Sequence, residues 1–149
     1  MKKPILIACL ILCSCLCFPQ QIKQQVPKDY FKSPLDIPLL LSGTFGELRS
    51  NHFHAGIDIK TKGTTGLKVK ASADGYISRI KIQRYGYGLA LYISHPNGYQ
   101  TVYAHLEAYA DEIHDYVRQK QYAQEKFEIQ LYPKPGELKV SQGQVIGYS

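Results

Sequence analysis

Two imidazoles and a carboxylate stand within seven residues in His52-Phe53-His54-Ala55-Gly56-Ile57-Asp58. Neutral imidazole and carboxylate are donors that zinc takes, at bond lengths of about 2 Å. A straight strand would hold His54 and Asp58 about 13 Å apart, at roughly 3.3 Å per residue, too far to share one ion. The segment must bend if the pair is to act together, and Gly56 is the residue that permits it. The same spacing also fits histidines that are surface or hydrogen-bonded loop residues, the commoner case for so short a motif. A second feature is Tyr99 to Leu106, read as a strand in which Tyr99, Thr101, Tyr103 and His105 share one face. A histidine ending such a line can serve as acid, base or oxyanion donor. It can equally be satisfied by a nearby backbone carbonyl.

Short apolar pieces separated by Gly, Asn and Asp must position these groups. Leu67 to Ala71, Tyr76 to Ile82, Leu89 to Ser94 and Tyr99 to Leu106 read as strands. Ala73-Asp74-Gly75 and Pro96-Asn97-Gly98 supply the positive φ that tight turns require, which predicts hairpins centred near Gly75 and Gly98. Between 107 and 126 the pattern changes: Leu106, Tyr109, Ile113, Tyr116 and Val117 recur at three- and four-residue spacing, which predicts one amphipathic helix. Phe127, Ile129 and Leu131 then alternate with polar residues, Pro135-Gly136 turns the chain, and Leu138 to Ile146 reads as strand again.

The composition suits such a fold. With 149 residues, 44% hydrophobic and 20% charged, the chain is long enough for one domain, and 12 Gly and 8 Pro exclude collagen-like or low-complexity classes. Twelve Tyr and five Phe with no Trp favour half-wetted sheet faces. Lys2 and Lys3 followed by the apolar run Ile5 to Cys17 read as an export signal over residues 1–18, too short to span a bilayer, which takes about 20 residues. All four cysteines, Cys9, Cys13, Cys15 and Cys17, lie in that segment, so the mature protein is expected to hold no disulfide. Leu12-Cys13-Ser14-Cys15 resembles a lipobox that would put a lipid anchor on Cys15; simple cleavage, for instance after Cys17, fits as well. Without Lys2 and Lys3 the formal charge of +6 falls to +4, from 16 Lys plus Arg against 12 Asp plus Glu. That excess is spread along the chain rather than clustered, so a nucleic-acid partner is not expected, whereas an anionic wall polymer suits it. Residues 19–38, rich in Gln and Pro, read as an extended linker that docks on the domain.

Taken in order, GTFGELRSNHFHAGIDI, VKASADGYISRI, GYGLALYISHPNGYQTVYAHL and VSQGQVIG closely resemble the lysostaphin-type zinc metallopeptidases that cut peptidoglycan peptides. The resemblance covers about residues 39–149 apart from the insert at 107–135. It implies an all-β, mostly antiparallel domain of the duplicated hybrid motif kind with one helical insert at about 107–126, located in the periplasm or cell envelope. It also implies Zn2+ on His54 and Asp58 through a His-x-x-x-Asp motif, and a catalytic role for His105 in the Tyr-x-His-Leu block. Peptidoglycan stem or cross-bridge peptides would be the substrate.

That family carries a His-x-His motif shortly after the block resembling VSQGQVIG, holding the third zinc ligand and the second catalytic histidine. These 149 residues stop before it, and the end at Gly147-Tyr148-Ser149 reads as a truncated frame, leaving the metallopeptidase domain incomplete at its C-terminus. Zinc held by two protein ligands would be weakly bound. His52 matches the approach loop and is not expected to substitute. Arg49 and Asn51 are close enough in sequence to contact a substrate carboxylate, with Tyr103 beside them in the groove, or to be plain loop residues. Gly43, Gly46, Gly86 and Gly88 suit loops where a peptide backbone passes closely. His95 is expected in the turn before Pro96, and His114 on a solvated helix face. Two other classes stand beside the enzyme. One is a non-catalytic relative that binds the wall or activates another hydrolase. The other is a glycan-binding domain in which Tyr92 and Tyr103 stack on sugars.

Overall fold

The computed structural model describes residues 26–149. The expected export signal at 1–18, with its cysteines and the lipobox-like block at Cys15, and residues 19–25 of the expected linker lie outside the described residues. Ten strands and one helix follow in the order β1 Leu41–Gly43, β2 Asp58–Ile59, β3 Lys68–Lys70, β4 Gly75–Ile82, β5 Leu89–Ser94, β6 Gln100–Leu106, β7 Ala108–Tyr109, α1 Asp111–Gln124, β8 Ile129–Leu131, β9 Lys139–Val140 and β10 Val145–Tyr148. They form a two-stranded sheet β1-β2, a three-stranded sheet β3-β10-β7 and a larger sheet β6-β5-β4-β8, with β9 also paired to β4. Every pairing is antiparallel. Among the described residues this is the all-β, mostly antiparallel architecture with one helix that the family resemblance implies.

The core lies where the sheets meet. Ile77, Ile80, Leu91 and Ile93 of the large sheet and Ile146 of the small one are completely enclosed. Each such side chain contributes about 1.5–3 kcal/mol relative to exposure. Ile77 and Ile80 stand three apart rather than two because the β4–β5 register shifts between Ile77 and Arg79. The extra residue of this bulge, Ser78, restores the inward face for Ile80.

Three local expectations change. Gly98, at φ 80, turns β5 into β6 as expected. Gly75 closes no hairpin, since β3 pairs with β10 and β4 pairs with β5, β8 and β9. The turn at 73–75 instead carries the chain from one sheet to the next. Gly75 is needed there because a Cβ would overlap the Ser94 carbonyl. The run from Leu138 to Ile146 splits into β9 and β10 around Gly143, at φ 82, because its halves belong to different sheets. The helix begins at Asp111 rather than 107, since Ala108 and Tyr109 are taken by β10. Its buried residues are Ile113 and Val117, with Asp111 and Glu112 favourably placed at the positive end of the helix dipole.

Part of the Pro-rich segment lies against the domain. Lys32 N–H donates to the Ser72 carbonyl at 2.8 Å, Lys70 N–H donates to the Pro34 carbonyl at 2.8 Å, and Leu35 is buried. An ion pair at 2.6 Å between Lys70 and Asp36 lies on the same strap.

Candidate metal centre

Residues 44–57 form a small closed loop between β1 and β2. Gly46 N–H donates to the His54 carbonyl and His54 N–H to the Glu47 carbonyl, both at 2.8 Å, while Leu48 and Phe53 make an isolated antiparallel bridge. The chain then bends at Gly56 before entering β2 at Asp58. This fold-back brings His54 Nε2 to 3.3 Å from Asp58 Oδ1. Gly56 has no positive φ and open space where a Cβ would stand, so the bend does not depend on glycine there.

The outer atoms of the pair are occupied. His54 Nδ1 lies 3.1 Å from the Thr44 carbonyl, which can only accept, so Nδ1 carries a hydrogen and, in the neutral ring, Nε2 carries the lone pair. Arg49 Nη2 donates to Asp58 Oδ2 at 2.6 Å. The same Nη2 lies 3.4 Å from His54 Nδ1, a donor facing a donor in this tautomer and therefore no bond. In that state Nε2 and Oδ1 are two electron-pair donors 3.3 Å apart, an arrangement that is repulsive unless a cation or a proton lies between them. A tetrahedron with metal–ligand lengths of about 2.0–2.1 Å has an edge of about 3.3–3.4 Å. The separation and chemistry of the two donors therefore fit zinc. Among the described residues, no group of three or more His, Cys, Asp or Glu is arranged to hold a metal.

His105 stands apart from this cluster. Leu91 pairs with Tyr103 and Leu89 with Leu106, so Ala104 and His105 together oppose the single residue Ala90. The bulge puts His105 at φ 56, with its N–H donating to the Tyr87 carbonyl at 3.0 Å and its ring edge-on to Tyr87 at 6.2 Å. The expected single face of Tyr99, Thr101, Tyr103 and His105 therefore breaks. Tyr103 and Leu106 turn into the core, while His105 is exposed. A bulge re-aims a side chain at a cost of about 1–3 kcal/mol in backbone strain, and such strain gathers at functional positions.

The structure separates the remaining residues. Tyr103 is only 8% exposed, and its hydroxyl accepts from Ser72 N–H at 2.8 Å, which makes it a core residue rather than a groove surface. Tyr92 carries the Arg79 guanidinium over its ring at 4.7 Å. The Asn51 side chain contacts the His52 ring at 2.6 Å, and neither joins the His54–Asp58 pair. His95 is a buried member of the hairpin, bonded to the Asp74 carbonyl at 2.8 Å and Thr101 Oγ1 at 2.9 Å, whereas His114 is exposed as expected. Arg49 is engaged by Asp58 and, at 3.6 Å, by Glu47. The sequence reading missed Glu47, and it placed Gly43 with the loop glycines although Gly43 lies under the ion pair. A cleft of about 660 Å³ between α1 and the β4–β5 turn, lined by Ile82, Leu89, Tyr109, Val117 and Phe127 among others, includes none of the metal-pair residues.

Residues 52–123 match peptidase family M23, the lysostaphin-type family. The matched segment contains His54, Asp58 and His105. Over 63 residues the chain is 44% identical to the DD-carboxypeptidase/endopeptidase Mpg of Neisseria meningitidis serogroup B (strain MC58) and, equally, to that of Neisseria gonorrhoeae. The alignment covers 42% of this chain and 14% of each relative, so the chain spans only a small part of the curated relatives it matches. Among the described residues no helix is long and apolar enough to cross a membrane.

Proposed function

We propose that the M23 segment belongs to a zinc-dependent endopeptidase that hydrolyses peptide bonds in peptidoglycan stem or cross-bridge peptides at the cell envelope. The observation that carries this reading is the convergence of His54 Nε2 and Asp58 Oδ1 at 3.3 Å, with the outer atom of each already bonded. The endopeptidase name of the Neisseria relatives supports the same reaction class. Export directed by residues 1–18, with or without a lipid on Cys15, suits such a substrate.

In this reading His54 and Asp58 hold the ion, and a His-x-His segment completes the donor set as the family resemblance implies. When bound, zinc activates water and polarises the scissile carbonyl. Thr44 fixes the His54 tautomer that leaves Nε2 free to coordinate. His105, exposed at the end of β6, offers an imidazole to accept or donate a proton, or to stabilise the oxyanion of the tetrahedral intermediate. The half-exposed Asp58, at 41% of its side chain, leaves the pair open to a peptide.

Metal content of the purified full-length protein, together with mass spectrometry of cross-linked muropeptides after incubation with it, tests the proposal. Zinc bound and peptide bonds cut is the expected outcome. Zinc bound with muropeptides retained but intact would favour the wall-binding alternative, and a protein that takes up no zinc would remove the metal reading.

A further inference from the structure

The two donors are held from behind by one short circuit of groups. Arg49 Nη2 bonds Asp58 Oδ2 at 2.6 Å and stands 3.6 Å from Glu47 Oε2. Glu47 Oε2 accepts the Thr44 N–H at 3.1 Å, and the Thr44 carbonyl accepts from His54 Nδ1, also at 3.1 Å. Every link comes from residues 44–58, so the loop that carries His54 also fixes the carboxylate presented by β2. Gly43 makes room for this circuit, because a Cβ there would overlap both Asp58 Oδ2 and Arg49 Nη2. Arg49 Nε is enclosed with no hydrogen-bond partner among the described residues, so the guanidinium is held through Nη2.

We propose that Arg49, braced by Glu47 over Gly43, is a positioning residue that holds Asp58 by Oδ2 and so keeps it a one-oxygen donor, with Oδ1 aimed at the point where His54 Nε2 also aims. The role differs from a contact to a substrate carboxylate, since the guanidinium is already engaged by two carboxylates of its own chain. An unrestrained carboxylate can rotate about its Cβ–Cγ bond, turn both oxygens to an ion or swing towards solvent. Outer groups that orient a metal-ligating side chain typically change metal affinity by about 10–100-fold when removed. The inference rests on the zinc reading for its consequence, but its geometric core can be examined without metal.

Two measurements on the purified full-length protein, with its His-x-His segment, decide it. The first is a crystal structure of the metal-free Arg49→Gln and Arg49→Lys variants beside the parent. The expected result is that Arg49→Gln lets Asp58 rotate so that Oδ1 leaves the 3.3 Å contact with His54 Nε2, while Arg49→Lys partly retains it. An Asp58 unmoved in Arg49→Gln would overturn the positioning role whether or not zinc binds. The second is zinc titration by calorimetry. Here Arg49→Gln should weaken binding about 10–100-fold with an unchanged circular dichroism spectrum, and Arg49→Lys should lie between it and the parent. Equal binding by Arg49→Gln would overturn the proposal, and tighter binding would overturn it by showing that the guanidinium competes with the ion. A parent that takes up no zinc, with Asp58 displaced in the Arg49→Gln structure, would remove the zinc reading and leave the positioning role standing.

Discussion

Gly43 lies directly beneath Asp58, so close that no side chain could stand between strand β1 and the carboxylate. The backbone of Gly43 takes no positive φ, so a methyl would be excluded by its neighbours and not by local conformation. Gly43→Ala must push aside the Arg49–Asp58 pair or the β1 backbone. We expect a loss of about 1–3 kcal/mol, the usual range for overpacking, together with weakened zinc binding. Urea unfolding and zinc titration of the variant check both effects, and a variant that matches the parent in each would contradict the close approach.

His54→Ala in the full-length protein removes one of the two converging donors. The side chain is 19% exposed and lies in a loop outside the hydrophobic core, so the fold should change little while zinc retention is abolished. Metal content after dialysis and a far-ultraviolet spectrum give the two readouts. Retained stoichiometric zinc would mean that the ion sits elsewhere.

His105→Gly separates stability from activity. At φ 56 a non-glycine residue is strained, so glycine should be tolerated or should stabilise the fold by up to about 1 kcal/mol, while peptide hydrolysis falls about 100-fold or more. Zinc content should not change. A variant that keeps full hydrolytic activity would place the proton-handling group elsewhere.

Tyr109 makes the fold sensitive to alkali. Burial raises its phenol well above the ordinary value near 10, and its hydroxyl donates to the Lys81 carbonyl at 3.1 Å. The folded state keeps the proton longer than the unfolded chain does. The stability linked to this proton is therefore complete below about pH 10 and is lost as the pH rises beyond that towards the folded-state value. Tyr109→Phe should cost about 1 kcal/mol at neutral pH through the lost hydrogen bond, yet show a shallower decline above pH 10. Thermal melts from pH 7 to 11 would reveal it; parallel curves for the two proteins would disprove the assignment.

Much of this architecture was legible in the chain because local chemistry encodes it. Short apolar runs bounded by Gly, Asn and Asp mark β4, β5 and β6, Asn97-Gly98 marks the β5–β6 hairpin, and three- and four-residue spacing marks α1, since each signal depends only on neighbours within a turn or a strand. The types and spacing of His54, Asp58 and His105 likewise carry the family resemblance. Tertiary structure decided what depends on distant segments. It paired β3 with β10 and not β4, which turned the Gly75 hairpin into a passage between sheets. It inserted the bulge opposite Ala90 that sends Tyr103 inward and His105 outward, a register shift that alternation within β6 cannot reveal. It also brought Gly43, Glu47 and Arg49 behind Asp58, because an ion pair and a close backbone approach are set by the path of the loop in space and leave no period in the sequence.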